Sequence, residues 1–129
     1  MREQLRNFQV TDPFGRQWNV EFRWLQNAIS IRHADAVDLK YYISNGEERL
    51  ERVVALPHSD LLRLAADTGR ELTDAWCLRL GARQIEYMIS TWADMDKSVA
   101  TVSSADLARF NTALEGAAAE PRDVASRTR

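Results

Sequence analysis

The most restrictive feature of this chain is a strict alternation of apolar and polar residues in its first quarter. The alternating residues, in order, are Trp18, Asn19, Val20, Glu21, Phe22, Arg23 and Trp24. Successive side chains of a strand point to opposite faces, so this pattern predicts a strand with one apolar and one polar face. The three large aromatic residues are thereby predicted to share the apolar face, which another layer must cover.

A turn sequence precedes this strand. Asp12, Pro13 and Gly15 occupy positions typical of a type I turn closed by a left-handed glycine. The resulting hairpin pairs an earlier strand over 5–11 with the alternating strand. Its register sets Val10 opposite Trp18, both of them apolar.

Further strands are predicted downstream. A loop at Gln26–Asn27 and a short third strand ending near His33 follow, and a fourth strand covers 37–44. Asn45–Gly46 is a strong hairpin signal, and a two-residue loop there sets Lys40 opposite Glu51 in a fifth strand. These registers predict a five-stranded antiparallel meander.

About three helices are predicted after the sheet. Ser59 is the expected N-cap of a short helix, Thr73 that of a long helix containing Gly81, and Ser103 opens a helix that ends at Gly116. Residues 99–102 remain open as a possible sixth strand. The predicted fold class is α+β, with one domain over 1–116 whose sheet is covered on one face by C-terminal helices, and a flexible tail over 117–129.

Charge and cysteine content exclude several classes of protein. The 129 residues contain 17 basic and 19 acidic side chains, which lack the basic excess expected for nucleic-acid binding. No apolar run is long enough to span a membrane. Cys77 is the single cysteine, and the N-terminus has no signal-peptide pattern, so we expect a soluble cytoplasmic protein. The basic residues are arginine except for Lys40 and Lys97, which we attribute to a GC-rich, bacterial coding sequence.

Sequence patterns for catalysis are sparse. The glycines are isolated, and neither a Gly-x-Ser-x-Gly elbow nor a His-Glu-x-x-His motif occurs. Asp38 and Lys40 fit half of a restriction-type nuclease site, with Glu21 as the second carboxylate on the same face. We keep a metal-dependent hydrolase or nuclease only as a remote alternative, because Lys40 has Glu51 as an ordinary partner. We expect no enzyme activity, no catalytic residue, no metal ligand and no cofactor.

A small-ligand pocket is the second hypothesis. It would lie between the aromatic sheet face and the long helix and bind an anion. The residues expected to line it are Arg52, His33, Trp18, Trp24 and Tyr41. Arg52 is placed on the apolar face beside Leu39, and a buried arginine needs an anionic partner, either a ligand or an acidic side chain such as Asp67 or Glu86.

A protein-interaction module is the main hypothesis. The polar sheet face carries arginine and tyrosine, which are enriched at interfaces. The candidate surface residues are Arg23, Arg32, Tyr42 and Arg49. We expect a protein partner or self-association, as a homodimer or an accessory subunit, and neither nucleic acid nor a membrane as partner. The exposed edge strands are further sites for pairing with another chain.

Overall fold

A computed structural model describes the backbone of residues 5–28 and 35–127, and the side chains of residues 5–27 and 35–116. Strands and helices follow in the order β1 (Asn7–Thr11), β2 (Gln17–Ala28), β3 (Ala36–Ser44), β4 (Arg49–Pro57), α1 (His58–Thr68), α2 (Asp74–Thr91), β5 (Val99–Thr101) and α3 (Ser104–Arg127). The predicted α+β class is confirmed.

The five strands form one sheet in the order β1-β2-β3-β4-β5. The first four are antiparallel, whereas β5 pairs with β4 in parallel, so the all-antiparallel prediction is wrong for this strand. A parallel neighbour needs a long crossover, and α1 and α2 supply it. The possible strand over 99–102 is therefore the fifth strand of the sheet.

The predicted third strand lies almost entirely outside the described residues. Its expected pairing with β2 is wrong, because β2 continues through Gln26–Asn27 to Ala28 and pairs directly with β3. Phe22 lies opposite Tyr41 on that side. On the other side the predicted first hairpin is confirmed, with Val10 opposite Trp18.

In the hairpin between β3 and β4, each side chain lies on the face predicted for it, but the two strands pair in a different register. Its loop has four residues rather than two, because the Asn45 side chain accepts hydrogen bonds from Glu47 N and Glu48 N at 3.0 and 2.8 Å. Ser44 therefore pairs with Arg49, and Tyr41 rather than Leu39 lies opposite Arg52. A shift of two residues leaves every side chain on its predicted face.

The helix ends agree with the sequence signals in part. Thr73 caps α2 by accepting a hydrogen bond from Trp76 N at 3.1 Å, and Ser103 Oγ accepts one from Asp106 N at 3.1 Å. The N-cap of α1 is Pro57, not Ser59, and it makes no side-chain cap hydrogen bond. The predicted end of the last helix at Gly116 is wrong, since α3 continues to Arg127.

The hydrophobic core lies between one face of the sheet and the helices. Trp18, Leu39 and Tyr41 are completely buried there, together with Ile85 and Ile89 of α2. Gly81 allows α2 to approach closely, because a Cβ at this position would lie 2.8 Å from Tyr41 Oη and 2.9 Å from Leu39 Cδ2. Gly81, the one glycine of α2, therefore lies where the helix is in close contact with the sheet.

None of the helices in the described part of the chain combines the length and the apolar character that crossing a bilayer requires.

Candidate functional site: the open face of the sheet

The side of the sheet opposite the helices forms the candidate site, here called the open face. The strand registers place on it Glu21, Arg23, Trp24, Asp38, Lys40, Tyr42, Arg49, Glu51, Val53 and Val99. This set includes Arg23, Tyr42 and Arg49 from the predicted interaction surface. Arg32, the fourth predicted member, lies outside the described residues.

A β-bulge brings a tryptophan to the open face. The register of β2 against β3 shifts between Phe22 and Trp24, so that Arg23 is the extra residue. An extra residue reverses the faces of everything that follows it. Trp24 therefore lies opposite Lys40 and is 38% exposed, and the prediction that it shares the apolar face with Trp18 is wrong.

Cationic side chains surround the aromatic rings of this face. The guanidinium of Arg49 lies 4.1 Å from the centre of the Tyr42 ring, and that of Arg23 lies 5.0 Å from it. Lys40 Nζ lies 5.5 Å from the Tyr42 ring and 5.9 Å from the Trp24 ring. Contacts at this distance are attractive, because the ring face carries negative electrostatic potential. Tyr42 is thus the centre of a cluster of three cations.

Two acidic side chains balance this cluster. Glu21 Oε2 accepts from Arg23 Nη1 at 2.9 Å, and Glu51 Oε1 lies 3.0 Å from Lys40 Nζ. The Lys40–Glu51 pair agrees with the sequence interpretation, although the two residues are diagonal neighbours rather than directly opposite. With Asp38, the open face carries three acidic and three basic strand residues.

The predicted ligand pocket is not assembled by the residues expected to line it. Trp18 and Tyr41 are completely buried in the core, and Trp24 lies on the other side of the sheet. His33 lies outside the described residues. Because α2 contacts the sheet directly at Gly81, the space proposed for a ligand between helix and sheet is occupied by side chains there.

Arg52 finds its partners in the backbone. It lies on the apolar side of the sheet as predicted, and its Nε and Nη2 both donate to the carbonyl oxygen of Met95. Its Nη1 donates to the carbonyl oxygen of Glu51 at 2.7 Å. The expected acidic partners Asp67 and Glu86 are not used, because the chain entering β5 passes close enough to offer a carbonyl.

The residues of the nuclease hypothesis are engaged in other contacts. Lys40 and Glu21 form the ion pairs described above, and burial raises the pKa of Asp38 above its ordinary value. Among the described residues, no group of three histidine, cysteine or acidic side chains is arranged to hold a metal ion. The geometry gives this hypothesis no support.

A second cluster surrounds Asp12 in the β1–β2 turn. Its carboxylate accepts from Phe14 N at 2.8 Å, from Arg16 N and Nε at 2.9 and 2.7 Å, and from Trp18 Nε1 at 3.0 Å. Arg16 in turn lies 5.0 Å from the centre of the Trp92 ring. The Asp12 side chain is fully enclosed, while Phe14 beside it is 67% exposed.

These contacts explain the acidity of Asp12. Burial raises the pKa of a carboxyl group, but here the hydrogen bonds from Trp18, Arg16 and the turn backbone outweigh it. The pKa of Asp12 is about 2, below its ordinary value of 3.8. Asp12 therefore stays ionised and holds the turn, Arg16 and Trp18 together.

Sequence reasoning missed the Asp12 cluster and the position of Trp24. The turn motif at Asp12 was visible, but its contact with Trp18 depends on the strand register. For Trp24 a signal was present, because Leu25 follows it directly and two successive large apolar residues break the alternation.

Cys77 is buried as expected, and burial together with the charge of Asp74 raises its pKa to about 11, which makes it a structural thiol.

No protein-family model, no curated protein and no solved structure matches this chain.

Proposed function

We propose that the protein is a non-catalytic interaction module that binds another polypeptide on the open face of its sheet. The observation that carries this proposal is the cluster of Trp24 and Tyr42 with the cations around them. It lies on the side of the sheet that no described helix covers, whereas most other large aromatic side chains of the described chain pack in or against the core. Tryptophan, tyrosine and arginine are the residue types that dominate binding energy at protein interfaces.

The charge of the open face favours a protein as its occupant. The described strand residues of this face include three acidic and three basic side chains, so together they carry no net charge. A nucleic acid or an anionic membrane would require a basic excess. A protein surface with an apolar centre and charges of both signs can pair with each of these groups, and Val99, which is 51% exposed, adds apolar area at the edge.

The contacts within the cluster also favour a role in binding, because they hold its side chains in place. Arg49 stacks on Tyr42, while Arg23 is held both by Tyr42 and by Glu21. Side chains that are already held in place lose less conformational entropy when a partner binds. The side chains of the open face are therefore preorganised, and two aromatic rings are available to contact a partner. A cytoplasmic location remains a prediction that rests on the single, reduced Cys77.

The test is a comparison of captured proteins among three immobilised forms of the chain. The forms are the wild type, the double variant Trp24→Ser/Tyr42→Ser, and the control Leu62→Ser, which removes an exposed apolar side chain from α1. Each is incubated with an extract of the cells that produce it, and bound proteins are quantified by mass spectrometry. Circular dichroism confirms that all three forms are folded.

We expect at least one polypeptide to bind the wild type and the Leu62→Ser control equally, and the double variant about tenfold less or weaker still. A set of bound proteins that is the same for all three forms would contradict the proposal. So would the absence of any protein enriched by the wild type over the double variant.

A further inference from the structure

The free edge of β1 has the features of a pairing strand. In the described part of the chain, β1 is the terminal strand of the sheet and pairs only with β2. Its five residues, Asn-Phe-Gln-Val-Thr, include no charged residue and no proline. Natural proteins usually protect such an edge with lysine, proline or a bulge, because an unprotected edge pairs with other strands.

The hydrogen bonds of the first hairpin show which backbone groups face outward. Phe22 N donates to the carbonyl oxygen of Arg6, and Asp12 N donates to that of Arg16, both at 2.8 Å. Arg6 and Asp12 therefore point their backbone groups toward β2. Because the direction alternates along an antiparallel pair, the backbone groups of Asn7, Gln9 and Thr11 point to the free edge.

This arrangement is self-complementary. Three outward-facing residues centred on Gln9 allow two copies of β1 to pair antiparallel about a two-fold axis. Gln9 then lies opposite its own copy, and Asn7 lies opposite Thr11. On the helix side of the sheet, the same register sets Phe8 of one copy opposite Val10 of the other, and both are apolar. Because β1 has no charged residue, the pairing brings no like charges together within the strand.

A cavity lies beside the same edge. It has a volume of about 200 Å³ and is lined by Leu5, Phe8, Arg79, Ala82, Arg83, Glu86 and Leu114. It therefore opens between the start of β1, α2 and α3. Cavities of about 150 Å³ are large enough to hold a benzene ring, so an aromatic side chain fits this volume.

The two-fold pairing would bring an aromatic side chain to this cavity. With Thr11 of one copy opposite Asn7 of the other, the turn that carries Phe14 lies alongside Leu5 of the second copy. Phe14 is 67% exposed and contacts Trp92 at the end of α2, which places it on the helix side of the sheet, as the cavity is. The lining of the cavity combines the apolar Leu5, Phe8, Ala82 and Leu114 with the charged Arg79, Arg83 and Glu86, and burial of the exposed Phe14 ring against its apolar part favours association.

We propose that the chain forms a two-fold dimer in which the two β1 strands pair antiparallel and the Phe14 of each copy enters the cavity of the other. The dimer joins two sheets into one continuous sheet and is independent of a partner on the open face. Its open faces lie side by side on the same surface, so that two partners, or one partner with two equivalent sites, can bind it.

The test compares the mass of the protein in solution over a concentration series, by sedimentation velocity. We expect the wild type to reach twice the chain mass of 14.8 kDa as the concentration rises. Gln9→Pro removes an outward-facing N–H, together with the exposed hydrogen bond that Gln9 Nε2 donates to Asn19 Oδ1 at 2.9 Å, and should remain monomeric. Phe14→Ser should weaken association about tenfold. Thr101→Pro is the matched control, because its N–H also faces outward, on the opposite edge strand β5.

Amide hydrogen exchange supplies a second readout that needs no variant. The N–H groups of Asn7, Gln9 and Thr11 should exchange rapidly at low protein concentration and slowly at high concentration, while those of Thr101 and Val99 should not change. A wild type that stays monomeric, a Gln9→Pro variant that still dimerises, or a Thr101→Pro variant that loses the dimer would overturn the proposal. The double variant Trp24→Ser/Tyr42→Ser should dimerise normally, which separates this proposal from the proposed function.

Discussion

At the scale of single residues, Asp12 shows how one ionised side chain can organise a turn. Its carboxylate accepts four hydrogen bonds within the β1–β2 turn and the start of β2. Its pKa is about 2, compared with an ordinary value of 3.8, so the ionised form is favoured by folding. The associated stability is fully present above about pH 4 and is lost as the pH falls toward 2.

Replacing Asp12 by asparagine should lower the free energy of unfolding at pH 7 and also remove part of its decline between about pH 4 and pH 2. Urea unfolding at several pH values in this range checks both effects. Asp96→Asn, at an exposed carboxylate, serves as the control and should leave the acid decline unchanged. An Asp12→Asn variant with the same acid decline as the wild type would refute this role.

A buried hydrogen bond joins α2 to α3 at the residue scale. Trp76 Nε1 donates to Asn111 Oδ1 at 2.9 Å, and both residues are almost completely buried. Asn111→Leu keeps the side-chain size but leaves the indole N–H unpaired, which should cost about 1–3 kcal/mol in urea unfolding.

The double variant Trp76→Phe/Asn111→Leu removes both partners and tests whether this cost comes from the hydrogen bond. Its loss in free energy of unfolding should be smaller than the sum of the losses of the two single variants. Strict additivity of the two changes would show that the bond contributes nothing.

At the scale of elements, two glycines in helices have opposite roles. A Cβ at Gly81 would lie within 3 Å of Tyr41 Oη and Leu39 Cδ2, whereas nothing lies within 4 Å of one at Gly116. Gly81→Ala gains about 1 kcal/mol of helix propensity but overpacks the contact between α2 and the sheet. We expect a net loss of about 1–2 kcal/mol for Gly81→Ala and a gain of up to about 1 kcal/mol for Gly116→Ala, measured by urea unfolding. Equal effects at the two positions would argue against close packing at Gly81.

The elements also show what local sequence can and cannot predict. The first hairpin was predictable in full, because its turn residues and its apolar pairs select the same register. For the second hairpin, only the face on which each side chain lies was predictable. Its turn sequence also permits a two-residue loop, but hydrogen bonds to the Asn45 side chain form a four-residue loop, which changes the register. The bulge at Arg23 was not predicted, since it adds one residue to a strand whose alternation looks uninterrupted up to Trp24.

At the scale of the whole molecule, the layer arrangement and the burial of Trp18 in the core were predictable, whereas the position of Trp24 was not. One apolar sheet face and three amphipathic helices require a two-layer α+β fold. Three residues of the predicted interaction surface, Arg23, Tyr42 and Arg49, lie together on the open face, because strand parity alone places them there. The residues expected to line the ligand pocket are not brought together, since Trp24 lies on the open face and α2 contacts the sheet directly at Gly81.

Site-specific photocrosslinking in living cells tests whether the open face binds another polypeptide. A photoreactive benzophenone amino acid replaces Trp24 in one form of the protein and Leu62 in another, and each adduct is identified by mass spectrometry. We expect a defined adduct with a polypeptide from position 24, which is lost when Arg49→Glu or Tyr42→Ser is added, and no adduct from position 62. If no adduct formed at position 24, or if adducts were equally abundant at both positions, binding of a polypeptide to the open face would be refuted.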